Sequence, residues 1–152
     1  MNNFPIELIL DNLRSAQNVG SILRTAECLG VSRVVFCGIT PHPRLAQDDR
    51  PPHVIATNER AIHKTALGAE RALELTYFPH TLTAIQEAKT RQQVVVALEQ
   101  APGSVRLSEY RLSQPIALVL PPDVDKFRAV PSSRPRIEVL FHIKEIHYIS
   151  HD

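Results

Sequence analysis

Short apolar runs rich in β-branched residues recur along the chain, separated by stretches whose apolar positions repeat every three or four residues. Ile6–Leu10 (IELIL), Arg33–Cys37 (RVVFC), Gln93–Leu98 (QVVVAL), Ile116–Leu120 (IALVL) and Ile137–Phe141 (IEVLF) are predicted strands, with Leu75–Phe78 (LTYF) a shorter one. Mostly unbroken apolar runs suit strands covered on both faces, as in a parallel sheet. Helical periods fall at about 19–29, 59–72 and 82–89. The alternation predicts an α/β fold: a mostly parallel sheet with helices on both faces and right-handed crossovers.

The first helix has the clearest pattern. Val19, Ile22, Leu23, Ala26 and Leu29 form one apolar stripe, and Gly30 follows as a stop. Gly20, Arg24 and Glu27 gather on the other side, and Asn18 is expected to precede the helix as its cap. This stretch allows two readings: a cap with a solvated Arg–Glu pair, or half of a functional surface. The proline-rich segment from Gly38 to Arg60 reads as a long loop, and loops of that length tend to be functional. It carries Arg44, Arg50, Arg60, His42 and His53, but Asp48, Asp49 and Glu59 offset them.

With 152 residues the chain has the length of one domain, 1–152. Its net charge of +1 neither requires nor forbids a nucleic-acid partner, because a local basic patch suffices. Cys28 and Cys37 lack metal-ligand spacing and read as reduced thiols, so no metal is expected. No apolar run reaches the length of a membrane helix, and MNNFPIELIL lacks a basic flank and a cleavage site. The expectation is a cytoplasmic protein. No P-loop, dinucleotide-binding glycine pattern or hydrolase triad is present.

LILDNLRSAQNVGSILRTAECLGVSRVVFCGITPHP, then AIHKTALGAE, then VVVALEQAPGSVRLSEY resemble the SpoU/TrmH family of the SPOUT superfamily, RNA ribose 2′-O-methyltransferases. The similarity runs from Ile6 to Leu120. It includes TALGAE (Thr65–Glu70) and a first motif that falls on Asn18, Gly20 and Arg24. The resemblance implies a sheet whose C-terminal part forms a trefoil knot (an α/β knot), with S-adenosylmethionine held among the knot loops. It also implies an RNA substrate, tRNA or rRNA, and a homodimer. By this match Arg24 is the catalytic residue and Asn18 positions the loop around it. Arg24 and Glu27 face the RNA, and Gly20 leaves room for the RNA backbone. Leu98 and Val139 are the matching cofactor contacts, made through backbone or apolar groups. His63 and Lys64 read either as RNA contacts or as helix surface.

An arginine is a poor general base because its pKa lies above about 12. Its expected role is electrostatic: gripping a phosphate and stabilising the developing alkoxide.

Residues 121–152 diverge from the family. The second motif loses its glycines to Pro121 and Lys126, and Asp123 is a shortened stand-in for its glutamate. In the third motif Leu140 replaces a proline, while Ile146 and Tyr148 replace a serine and an asparagine; Ser150 matches. The family's final helix has no counterpart before Asp152, so the knot is expected to be shallow or absent. Glycine permits positive φ and close backbone approach, whereas proline removes an N–H donor. A lost donor and clash at Pro121 would cost about 3 kcal/mol, roughly a hundredfold in cofactor affinity. Two readings follow: an S-adenosylmethionine-dependent RNA ribose 2′-O-methyltransferase, or an inactive SpoU-like RNA-binding homologue that does not hold the cofactor.

Overall fold

The structure is a computed structural model, which describes residues 5–98, 104–106, 109–122 and the backbone of 142–145. The elements run β1 (Ile6–Asp11), α1 (Ala16–Cys28), β2 (Arg33–Cys37), α2 (Pro52–Ala66), β3 (Glu74–Phe78), α3 (Thr81–Thr90), β4 (Val94–Leu98), β5 (Val105–Arg106), β6 (Ile116–Leu120) and β7 (His142–Glu145). Among the described residues the strands form one sheet in the order β3-β2-β1-β6-β4-β7-β5. The first five strands of that order are mutually parallel, in register through pairs such as Leu10↔Phe36 and Leu10↔Leu120.

Alternation along the strands divides the core into two layers. Leu8, Leu10, Val34 and Phe36 meet Val19, Leu23 and Ala26 of α1 and Ile62 and Ala66 of α2. Ile9, Val35, Cys37, Val95, Ala97, Ala117 and Val119 meet Ala84, Ile85 and Ala88 of α3. Strands buried on both sides need apolar residues at every position, which is why the runs carry no period of two. The predicted α/β class, parallel sheet and two-sided helix cover therefore hold.

The sheet's far edge differs from the expectation. β7 pairs antiparallel with β4 through Leu98↔Ile143, and β5 pairs antiparallel with β7. The strand predicted at Ile137–Phe141 lies outside the described residues, as does the stretch on which the expectation of a shallow or absent knot rests.

Helix α2 begins at Pro52, well inside the segment read as loop, and stops at Ala66. Proline is pre-set for the first helical turn, so Pro51-Pro52 opens this helix and does not mark a continuing loop. Ile55, Ile62 and Ala66 are its buried stripe. It ends because Leu67 and Gly68 turn to positive φ, 53° and 98°. A short 3₁₀ turn at Ala69–Arg71 then leads to β3.

Candidate functional site

In open α/β sheets ligands gather at the carboxyl ends of strands where the strand order reverses. Here that point lies between β1 and β6. The chain leaves β1 through Asn12, which adopts a left-handed φ of 51°. Its side-chain amide donates to Asp11 Oδ1 at 2.8 Å, and its oxygen accepts the Ile39 N–H at 3.1 Å. The Thr40 hydroxyl lies 3.0 Å from the Leu10 carbonyl and 2.7 Å from that of Cys37, and accepts the Leu13 N–H at 3.0 Å. The loops after β1 and β2 are thereby tied together, and α1 starts from a fixed base.

The helix starts earlier than expected. Ser15 is the cap: its Oγ accepts the Asn18 N–H at 3.2 Å. Asn18 thus lies in the first turn and does not cap it, because Ser15 is the residue that keeps an extended backbone. Its side chain is exposed and free of partners among the described residues. At the other end Gly30, at φ 71°, closes the helix: its N–H donates to Glu27 O and the Val31 N–H to Ala26 O.

Gly20, Arg24 and Glu27 do share one side of α1, but that side is not open at Gly20. Gly20 is buried against α2, where the Thr65 hydroxyl donates to the Gln17 carbonyl at 2.8 Å. The motif's glycine serves helix–helix approach, which corrects its expected role of leaving room for RNA. At about 100° per residue, Arg24 sits one turn on and about 40° round from Gly20. It is exposed, and it has no hydrogen bond or ion pair among the described residues. The Arg24–Glu27 pair allowed by the sequence does not form; Glu27 instead lies near Cys28, whose Sγ is 3.7 Å from Oε2. Asn18 and Arg24 are both exposed, about 120° apart around the helix axis.

Leu98 ends β4 and is buried, while Leu120 ends β6 half-buried beside Pro121. Val139 lies outside the described residues. Among the described residues no group of His, Cys, Asp and Glu could hold a metal ion, and no helix is long and apolar enough to cross a membrane.

The neighbouring loop is fixed by residues the pattern did not single out. His42 is buried, stacked 5.5 Å from Phe36 and tilted against Tyr77 at 4.9 Å, with Nδ1 2.9 Å from the Pro43 carbonyl. Burial pushes its pKa below the ordinary value. Arg50 clamps the loop through Asp48, at 2.6 Å and 2.8 Å, and through the carbonyls of His42 and Pro43. In the last turn of α2, His63 lies 2.6 Å from Glu70 of the following 3₁₀ turn, which also accepts the Gly68 N–H at 3.0 Å. Burial would raise the Glu70 carboxyl, but the His63 bond and the backbone donors outweigh it and hold the pKa below its usual value.

A mostly parallel sheet with helices on both faces and its switch point between β1 and β6 defines a protein of the doubly wound α/β class. More particularly, residues 5–121 match the SpoU rRNA Methylase family, and the chain belongs to it. It is 26% identical over 124 residues to the 23S rRNA (guanosine-2′-O-)-methyltransferase RlmB of Haemophilus ducreyi, covering 82% of this chain and 45% of that protein. The A. aeolicus TrmH/SpoU tRNA modifying enzyme superposes with a TM-score of 0.61 at 16% identity, over 80% of this chain and 54% of that one. The SpoU methyltransferase AviRb from Streptomyces viridochromogenes, in complex with the cofactor AdoMet, gives 0.55 at 18% identity, over 79% and 41%. The chain thus spans about half the length of these relatives, or less.

Proposed function

We propose that this chain carries out S-adenosylmethionine-dependent methylation of a ribose 2′-hydroxyl in RNA, with Arg24 at the reacting centre. The observation that carries the reading is Arg24 itself. It is exposed on a helix whose start is tied to the carboxyl edge of the sheet, and no partner among the described residues occupies it. A guanidinium left free in this way can take a phosphate bidentately and stabilise negative charge on the attacking oxygen. Asn18 supplies an uncommitted amide one turn from the helix start, suited to orienting the ribose or its phosphate. The RlmB relative, named as a guanosine-2′-O-methyltransferase, and the AdoMet-bound AviRb support the same chemistry.

Of the two residues that the resemblance gives to the cofactor, Leu98 is described, and the apolar ends of β4 and β6 suit the apolar portion of S-adenosylmethionine. Leu98 and Leu120, at the ends of β4 and β6, would provide a surface for the adenine, while Pro121 contributes no N–H. When bound, the cofactor supplies an electrophilic methyl group on a sulfonium. Arg24 would hold the ribose oxygen in line with it, and such positioning is worth up to roughly 7–11 kcal/mol. A homodimer acting in the cytoplasm belongs to the same reading. Leu29, 74% exposed at the end of α1, offers apolar surface for a second copy.

Incubation of the purified chain with methyl-labelled cofactor and bulk tRNA or rRNA tests the proposal. Label on the 2′-oxygen of RNA, lost in Arg24→Ala, is expected. RNA retained on the protein with no label transferred would instead identify a binding homologue without catalysis.

A further inference from the structure

The chain as a whole is almost neutral, with 17 Lys and Arg against 16 Asp and Glu. One surface departs from that balance. Along α2 and the 3₁₀ turn after it, Arg60, His63, Lys64 and Arg71 are all exposed, and His53 joins them at the helix start. The same segment holds two acids, and both are engaged by internal donors. Glu59 Oε1 accepts the Arg44 N–H at 3.1 Å, and Glu70 is half-buried between His63 and the Gly68 N–H. Arg60, Lys64 and Arg71 have no hydrogen bond or ion pair among the described residues. The segment thus engages both acids with internal donors and leaves Arg60, Lys64 and Arg71 outward and without a partner among the described residues.

The position of this stripe gives it meaning. Helices α1 and α2 lie side by side at Gly20 and Thr65, and Arg24 is one turn on from Gly20 along α1. Lys64 lies about 100° round α2 from Thr65, on the outward side, and Arg60 lies one turn before Lys64, about 6 Å along the axis. Cations repeating at that interval suit successive phosphates of a polynucleotide strand better than a single anion. Neither residue stabilises the fold through a described contact, so their cost in self-repulsion has no structural return here.

We propose that the outward face of α2, through Arg60 and Lys64, is a phosphate-binding track that continues the Arg24 site and holds the RNA strand flanking the reacting nucleotide. This inference rests on the RNA-methylating reading above and extends it to a surface outside the first motif. Contacts of this type set register on the backbone and carry no sequence information.

Filter binding of end-labelled bulk tRNA and rRNA to the full chain, across a range of KCl concentrations, tests it. The variants are Arg60→Gln with Lys64→Gln, and a charge-matched control, Arg106→Gln with Arg111→Gln, both exposed on other parts of the chain. Each lost phosphate contact lowers the slope of log affinity against log salt by about 0.7–0.9. The α2 variant should therefore lose about 1.4–1.8 from the slope and keep the wild-type melting temperature. The control should keep the wild-type slope. Equal slopes for wild type and the α2 variant, or an equal loss in the control, would overturn the track while leaving RNA methylation intact. Wild-type protein that neither binds RNA in a salt-dependent manner nor labels it would overturn both readings.

Discussion

Thr65 and Gly20 meet where α1 and α2 cross: a β-carbon on Gly20 would fall 2.1 Å from Thr65 Oγ1 and 2.3 Å from the Ile62 carbonyl oxygen. Both neighbours are held. The hydroxyl is engaged by the Gln17 carbonyl, and the carbonyl belongs to the backbone of α2. Gly20→Ala must therefore push the helices apart. Overpacking of this kind costs about 1–3 kcal/mol. A lower melting temperature is expected, together with loss of methyl transfer as Arg24 moves with its helix. Unchanged thermal unfolding in Gly20→Ala would show that the seam yields freely.

Thr65→Val tests the other partner. It keeps the shape, removes the hydroxyl and leaves the Gln17 carbonyl without this bond, for a loss of about 1 kcal/mol. Because the β-carbon added in Gly20→Ala already displaces the Thr65 hydroxyl from the Gln17 carbonyl, the double variant should lose less than the sum of the singles. Thermal melts of all four proteins provide the comparison, and strict additivity would contradict a shared contact.

Substitutions at Arg24 should separate chemistry from folding. Exposed and unpaired among the described residues, Arg24 contributes little to the native state, so Arg24→Ala should leave the melting temperature in place. Methyl transfer should fall by a factor of about 10²–10³, the usual loss when one preorganised donor to a developing oxyanion is removed. Arg24→Lys keeps the charge without the planar fork and should recover only part of the rate. Single-turnover rates with saturating RNA make the measurement. Full activity in Arg24→Lys would mean that charge alone suffices.

The five parallel strands and both core layers were legible because burial on two sides leaves an unbroken apolar run, which no other element imposes so strongly. That Arg24 lies off the buried stripe of α1 was legible as well, from the helical period. What the pattern misassigned depended on local backbone chemistry. Ser15 took the cap that Asn18 was expected to hold, and Pro51-Pro52 opened α2 in a stretch read as loop. Gly20 was placed on the correct side of the helix, yet a wheel cannot say whether that side meets solvent or a second helix. His42 and Arg50 sit in the loop, where no periodicity exists to identify contacts. The charged Glu7 inside IELIL was the visible sign of a buried ion-pair network, and it passed unread.

That network joins four elements, β1, β2, β3 and α3. Glu7, 1% exposed, pairs with Arg91 at the end of α3 and lies 3.9 Å from Arg33, itself 8% exposed. Arg33 also reaches Glu87 at 3.3 Å and the Thr76 hydroxyl at 3.2 Å. Breaking one side of a fully buried pair costs about 3–5 kcal/mol, but here Arg33 keeps Glu74 and Glu87 and the Arg91 side chain is 39% exposed. Glu7→Gln should therefore destabilise in urea by less than that, with the slope of the transition unchanged. Glu7 Oε1 has no partner among the described residues, so Glu7→Met, which removes that orphan with the charge, should cost less if Arg33 keeps Glu87. Equal losses for the two variants would show that the charge alone matters.

His42 gives the fold a defined response to acid. The imidazole lies between Phe36 and Tyr77, and Nδ1 as donor to the Pro43 carbonyl fixes the neutral tautomer. Burial lowers its pKa in the folded chain below the ordinary 6.5, and the Arg50 guanidinium adds to this. Between the folded and unfolded values the unfolded chain binds more protons, so stability rises with pH in that window. The contribution is complete above about pH 6.5 and is lost as pH falls below it, down to the folded value. His42→Phe retains the stack and cannot be protonated. It should sacrifice the Pro43 bond, with a lower melting temperature at pH 7.5, yet show a smaller drop between pH 7.5 and pH 5.5 than the wild type. An identical drop in both proteins would assign the acid response to another group.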